Sequence, residues 1–141
     1  MKEFYSDSPL STEKFAESLA ETLEGGSIIA FVGGMGMGKT HFTRGLARGL
    51  GFKGDVTSPT FAIINEYRGG RLPLFHFDMY RIEGWEDLDS CGFFDYMEEK
   101  GVIAVEWSEN ISAALPEDTI YITLENLGET ERKITVEGGG F

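Results

Sequence analysis

The eight residues from Gly33 to Thr40 read Gly-Gly-Met-Gly-Met-Gly-Lys-Thr, which is the spacing of a phosphate-binding loop. Glycines let backbone N–H groups turn towards phosphate oxygens, because no Cβ atom obstructs the turn. The lysine is placed to reach the β- and γ-phosphates of a nucleotide, and the threonine hydroxyl to bind magnesium. We therefore predict a nucleotide-binding loop made of Gly33, Gly34, Met35, Gly36, Met37, Gly38, Lys39 and Thr40.

The segments on either side of this loop have the strand–loop–helix order that it requires. Residues 27–32 form a short apolar run with β-branched side chains, which predicts a buried strand. Residues 39–50 place Phe42, Leu46 and Leu50 on one face, which predicts a helix whose N-terminal end points at the phosphates. Another helix, capped by Ser11, is predicted over 12–24.

Two carboxylates follow apolar runs elsewhere in the chain. Asp78 comes after residues 74–77, and Glu106 comes after residues 102–105. An acid at the carboxyl end of a strand beside the loop is where nucleotide-hydrolysing proteins hold magnesium and water. Thr60 lies in the segment after the predicted loop helix, where a hydroxyl could contact a γ-phosphate or simply form part of a turn.

The rest of the chain predicts a mixed sheet. Residues 61–67 and 72–77 read as a hairpin around Gly69-Gly70, and residues 119–124 and 133–136 read as a terminal antiparallel pair. Residues 85–100 are polar, and we predict short helical segments within them. We expect an α/β fold with a central mixed sheet flanked by helices, in one domain over 1–141, with residues 138–141 as a frayed tail.

Composition narrows the range of functions. There are 24 acidic and 12 basic side chains, so the net charge of −12 opposes independent binding of nucleic acid. Arg44 and Arg48 lie opposite the apolar stripe of the predicted loop helix, and we expect them to be free to meet a protein or RNA surface. Cys91 is the only cysteine, and no apolar run reaches the roughly 18 residues of a membrane helix. We expect a soluble, cytoplasmic protein without membrane contact.

Taken together, the motifs resemble those of the bacterial TsaE (YjeE-like) ATPase family. The matching segments are GGMGMGKTHFTRG (33–45), VTSPTFAIINEY (56–67), HFDMYRI (76–82), EDLDSCGFFDYM (86–97) and VEWSEN (105–110). Many proteins share the phosphate-binding loop, but SPTF, HFDxYR and EWxE in this order are specific to the family. The family loop usually has an acid where Gly34 stands here, and an alanine where Met37 stands.

This resemblance implies a P-loop NTPase fold, ATP and magnesium as cofactors, and weak ATP hydrolysis. It implies TsaD and TsaB as partners, with TsaD transferring the threonylcarbamoyl group to adenosine 37 of tRNAs that read ANN codons. The chain would meet tRNA only through that complex. The implied catalytic residues are Lys39, Asp78 and Glu106, the implied magnesium ligands are Thr40 and Glu106, and Thr60 and Trp107 join the nucleotide site.

Two other functions stay open: a small kinase acting on a metabolite, and a nucleotide-dependent scaffold without useful hydrolysis. The chain has no [NT]-K-x-D guanine motif, which favours ATP over GTP. His41 and His76 lack the spacing of a metal site, and we expect structural roles for both. We expect the adenine to contact residues 8–11 and the C-terminal hairpin.

Overall fold

Helices and strands alternate early in the chain, and strands dominate its end. The computed structural model describes residues 1–32, 38–54 and 64–141. The strands are β1 (Lys2–Ser6), β2 (Ile28–Val32), β3 (Ile64–Tyr67), β4 (Leu74–Asp78), β5 (Val102–Glu106), β6 (Ile120–Asn126) and β7 (Arg132–Glu137). The helices are α1 (Pro9–Ala20), α2 (Lys39–Gly49), α3 (Trp85–Ser90) and α4 (Phe93–Glu98), with a 3₁₀ helix at Ser108–Ala114.

All seven strands belong to one sheet in the order β1-β7-β6-β2-β5-β4-β3. The central strands β6, β2, β5 and β4 are parallel, while β1, β7 and β3 pair antiparallel with their neighbours. The carboxyl ends of the four parallel strands therefore meet at one edge of the sheet, which is where ligands bind in open α/β folds. The predicted α/β fold with a mixed sheet is confirmed.

Each face of the sheet is covered by a separate apolar cluster. Phe31, Phe42 and Leu46 belong to the cluster under α1 and α2, and Phe75, Phe77 and Phe93 to the cluster under α3 and α4. Burial of these side chains is the main force that fixes the two helix pairs on the sheet. No helix among the described residues is long and apolar enough to cross a membrane.

Helices α1 and α2 approach each other unusually closely. A Cβ atom at Gly45 would collide with the backbone oxygen of Glu13, and one at Gly49 would lie 2.7 Å from the Cβ of Ala20. Glycines four residues apart share one helix face, so α2 presents a groove without side chains to α1. This contact fixes the direction in which the N-terminal end of α2 points.

Three details differ from the sequence-based expectations. Helix α1 begins at Pro9 because Ser8 accepts a hydrogen bond from the Ser11 N–H (3.0 Å) and proline suits the first helical position. Strand β1 was not expected, because its charged residues do not alternate with apolar ones as in a half-buried strand; it pairs with β7 at the sheet edge. The chain end is not frayed: the Phe141 N–H donates to the Gly138 oxygen, and the Phe141 side chain packs on the core.

Arg44 and Arg48 are not free, contrary to the expectation from helix periodicity. Arg48 donates to Glu13 of α1 at 2.9 Å, Arg44 lies 3.6 Å from the same carboxylate, and Nδ1 of His41 lies 3.0 Å from it. The two arginines therefore lie beside the contact between the helices, where their charges pair with Glu13 and link α2 to α1. The expectation that Arg44 and Arg48 are free of partners is therefore wrong, while 38% and 46% of their side-chain surfaces stay exposed.

The Glu13 carboxylate gives a stability prediction. Burial raises its pKa, but hydrogen bonds with His41 and Arg48 and the charges of Arg48 and Arg44 outweigh burial and leave the pKa below its usual range. Glu13→Gln should therefore lower the free energy of unfolding at pH 7 by about 1–2 kcal/mol. A folded-state pKa below the unfolded value means that this stabilisation is present above pH ~4 and is lost as the pH falls further.

Urea unfolding at pH 7 and at pH ~3 measures the difference in stability between wild type and Glu13→Gln. The matched control is Glu17→Gln on the same helix, because Glu17 is more exposed and lies 3.7 Å from Arg48; its effect should stay below about 0.5 kcal/mol. If Glu13→Gln lowered the free energy of unfolding by the same amount at both pH values, the prediction would be contradicted.

Candidate functional site

Strand alternation places three polar side chains on the face that α2 covers. Leu74 of β4 and Ala104 of β5 belong to the cluster beneath α1 and α2. His76 and Asp78 follow Leu74 at intervals of two residues, and Glu106 follows Ala104 in the same way, so all three share that face. Asp78 and Glu106 are direct neighbours in the parallel pairing of β4 and β5. The two acids therefore lie side by side at the carboxyl edge of the sheet.

The predicted phosphate-binding loop connects β2, at the middle of the sheet, to α2. Strand β2 ends at Val32, and α2 begins at Lys39 with Gly38 as its N-cap residue. The Gly38 carbonyl accepts the first helical bond, from the Phe42 N–H at 2.8 Å, and Thr40 lies in the first turn. The site residues Gly33, Gly34, Met35, Gly36, Met37 and Thr60 lie outside the described residues.

Lys39 is almost fully buried, with 4% of its surface exposed. Burial lowers the pKa of its ammonium group, and the negative charges of Glu106, Glu109 and Asp78 act against that shift without cancelling it. The loop lysine and the two strand-end acids are thus brought together, as the sequence predicts. Low exposure strengthens the attraction of Lys39 for an anion, since little water screens it.

Glu106 has a partner that sequence reasoning did not assign to it. Nε2 of His76 lies 2.6 Å from Oε2 of Glu106, and the His76 side chain is fully buried. An ionised carboxylate only accepts hydrogen bonds, so Nε2 carries the hydrogen. The expectation that His76 is merely structural therefore misses its contact with the site.

The residues after β5 form hydrogen bonds to the carboxyl-terminal ends of β2 and β4. The buried Ser108 hydroxyl donates to the Phe31 carbonyl of β2 at 2.8 Å, and the Asn110 amide donates to the Met79 carbonyl at 2.9 Å. Between β5 and this 3₁₀ helix, Trp107 adopts a left-handed conformation with φ of 59°. Its ring lies 4.9 Å from that of Tyr80 and packs against the apolar cluster under α3 and α4, while the residue itself directly follows Glu106 in the chain.

Glu109 is a second residue that the sequence analysis left without a role. It begins the exposed turn of the 3₁₀ helix, and its charge acts on Lys39. The available signal was its place in the EWxE segment, three residues after Glu106. The Asp78 side chain also has a hydrogen-bond partner, because its Oδ1 accepts a hydrogen bond from the Tyr80 N–H at 3.0 Å.

A cavity of about 160 Å³ opens beside the N-terminal end of α2. It is lined by Pro9, Thr12, Gly38, His41, Glu129, Thr130 and Arg132. Arg132 is 7% exposed and donates to backbone oxygens of its own hairpin, at Gly128 and Glu131. The cavity thus joins the start of α1 to the β6–β7 hairpin, next to the phosphate-binding loop.

The donor groups of the site suit magnesium. Within the described parts of the chain, no group of three or more His, Cys, Asp and Glu side chains could enclose a metal ion. Magnesium that accompanies a nucleotide needs no such cage, since one or two carboxylates or hydroxyls, phosphate oxygens and water complete its shell. Thr40 and Glu106 offer hard oxygen donors of this kind, and three carboxylates around one lysine leave an excess of negative charge at this edge of the sheet.

Comparison with known proteins identifies the family. The family model described as threonylcarbamoyl adenosine biosynthesis protein TsaE matches residues 6–134. The chain belongs to the TsaE family. The P-loop NTPase fold of this family agrees with the sheet and helices described above, and the resemblance predicted from the motifs is confirmed.

Relatives within the TsaE family match over most of the chain. The tRNA threonylcarbamoyladenosine biosynthesis protein TsaE of Bacillus subtilis is 39% identical over 132 residues, which cover 94% of this chain and 82% of the relative. The protein of the same name from Treponema pallidum is 39% identical over 131 residues, covering 93% and 96%. The crystal structure of Bacillus subtilis YdiB is similar with a TM-score of 0.78 and 36% identity, covering 99% of this chain and 86% of that one.

Proposed function

We propose that this TsaE family member binds and slowly hydrolyses ATP, and that its ATP cycle supports a TsaD–TsaB complex in forming threonylcarbamoyladenosine in tRNA. The observation that carries the proposal is the cluster of buried Lys39 with Asp78, Glu106 and Glu109 at the carboxyl edge of the sheet. Family membership supplies the biosynthetic role, because the matching relatives are named for it.

Each residue of the cluster has a task in this proposal. Lys39 binds the β- and γ-phosphate oxygens, and the N-terminal end of α2 adds the positive end of its dipole. Glu106 orients the attacking water by accepting a hydrogen bond from it, with Asp78 beside it, and Thr40 and Glu106 would hold the magnesium ion. Magnesium, when bound, neutralises phosphate charge and draws electrons from the bond that breaks.

The cavity beside Gly38 suits the nucleoside half of ATP. It begins where the phosphate-binding loop ends, and Pro9 and the β6–β7 hairpin border it. These are the two regions from which adenine contacts are expected on the sequence. The buried Arg132 and the Thr130 hydroxyl contribute polar groups to the lining for a base and ribose.

Reconstitution with TsaD, TsaB, tRNA, threonylcarbamoyl donor and ATP tests the function. We expect repeated turnovers of tRNA modification only when this chain and hydrolysable ATP are both present. With a non-hydrolysable ATP analogue, we expect modification to stop after about one turnover. Modification that is independent of this chain would overturn the proposal, and phosphate transfer to a small metabolite would support the kinase instead.

Trp107 should report nucleotide binding. Trp107 directly follows Glu106 in the chain and its ring contacts that of Tyr80, whereas the chain's other tryptophan, Trp85, is 60% exposed and stacks on Phe94. In a Trp85→Phe background, the remaining fluorescence comes from Trp107 alone, and we expect it to change when ATP and magnesium are added. Trp107→Phe, which keeps only Trp85, is the control and should give almost no response. An unresponsive Trp107 would place the nucleotide away from β5.

A further inference from the structure

The contact between His76 and Glu106 is a diagonal one across two parallel strands. In the β4–β5 pairing, His76 lies opposite Ala104, and Glu106 lies opposite Asp78. The methyl group of Ala104 leaves space above β5, so the imidazole reaches along the strand to Glu106 and its Nε2 lies 2.6 Å from Oε2. Diagonal neighbours on one sheet face lie within reach of ring side chains.

The fold alone does not account for a histidine at this position. The side chain is fully buried, and its Nδ1 atom has no hydrogen-bond partner among the described residues. An unpaired nitrogen in the interior costs folding free energy that an apolar side chain of similar size would avoid. The ring does make a polar contact with Glu106, and this contact accounts for a histidine at position 76 in place of an apolar residue.

A carboxylate at the end of a strand has several rotamers, and catalysis needs one of them. The bond from His76 occupies Oε2, which leaves Oε1 of Glu106 as the oxygen for a ligand. Partners that orient a ligating carboxylate in this way raise metal affinity and reduce the reorganisation that the reaction requires.

We propose that His76 is a positioning residue that fixes the rotamer of Glu106 and keeps its second carboxylate oxygen directed at magnesium and the attacking water. The proposal rests on the ATP-dependent function proposed above. His76 itself touches neither nucleotide nor metal, and it acts through Glu106.

Two substitutions by side chains of similar length distinguish a role of His76 in positioning Glu106 from a role in packing the core. His76→Gln keeps an N–H donor near the place of Nε2, and His76→Met removes the donor while filling similar space. We expect His76→Met to weaken magnesium-dependent ATP binding and to lower kcat, each by about 10-fold or more. His76→Gln should restore both to within about threefold of wild type, and ATP affinity without magnesium should be the same in all three proteins.

Isothermal titration calorimetry of ATP, with and without magnesium, measures the binding, and phosphate release measures kcat and KM. Equal behaviour of the glutamine and methionine variants would overturn the proposal, whether both match wild type or both fail. If His76→Met does not fold, His76→Asn replaces it, because the shorter amide ends before Glu106; wild-type magnesium dependence in that variant would overturn the proposal as well. A wild-type chain that binds no ATP would refute the proposed function, which is a separate outcome.

Discussion

Lys39→Ala should lower the affinity for ATP by about 100-fold, which corresponds to the loss of one buried charge-assisted contact with the phosphates. Lys39 is 4% exposed and lies among the charges of Asp78, Glu106 and Glu109. Without its ammonium group, the three carboxylates face the phosphates directly, so repulsion adds to the lost attraction. Titration with a fluorescent ATP analogue in the presence of magnesium measures the effect.

Lys53→Ala is the matched control for this experiment, because Lys53 is exposed and follows the C-terminal end of the same helix. Its affinity for ATP should equal that of wild type. Thermal unfolding of both variants verifies that each is folded. Wild-type affinity in folded Lys39→Ala would remove the phosphate-binding assignment of this loop.

Glu106→Gln should separate binding from hydrolysis. The amide oxygen of glutamine still accepts the hydrogen bond from His76, so the packing of β4 against β5 is kept. The amide lacks the negative charge that the proposed function assigns to ordering water and holding magnesium, so we expect kcat to fall by about 100-fold or more while the affinity for ATP in the absence of magnesium changes little. Single-turnover hydrolysis measured at saturating ATP checks the result.

Glu98→Gln is the control for the loss of one carboxylate, because Glu98 is exposed near the end of α4. It should hydrolyse ATP at the wild-type rate. Substantial hydrolysis by Glu106→Gln would exclude Glu106 from the reaction and leave Asp78 or Glu109 as the group that orders water.

The apolar patterns predicted the central elements of the fold well, because those elements are buried in regular ways. Runs of apolar residues at 27–32 and 102–105 correspond to β2 and β5, and the Gly69-Gly70 hairpin joins β3 to β4. Strands at the edge of the sheet were harder to predict from the sequence. Strand β1 is stabilised by its pairing with β7, and such pairing between distant segments leaves no local periodicity in the sequence.

The site was predictable where the sequence carries a motif and unpredictable where a contact depends on strand register. Lys39, Asp78 and Glu106 could be placed together from the rule that parallel strands end at one edge. The contact of His76 with Glu106 depends on which residues of β4 and β5 are opposite each other, which the sequence does not state. The same holds for Arg44 and Arg48: helix periodicity separates them from the apolar stripe, but only the packing of α1 against α2 shows that both pair with Glu13.

The left-handed backbone of Trp107 lowers conformational stability at a residue of the proposed nucleotide site. Bulky residues rarely adopt positive φ, and such a conformation costs about 1–3 kcal/mol, which surrounding contacts have to offset. Here these contacts are the bonds of Ser108 to β2 and of Asn110 to Met79. Asparagine or glycine at position 107 would avoid this cost, since both tolerate this backbone. Either substitution would also remove the indole ring, which packs on the cluster under α3 and α4 and which the proposed function assigns to the nucleotide site.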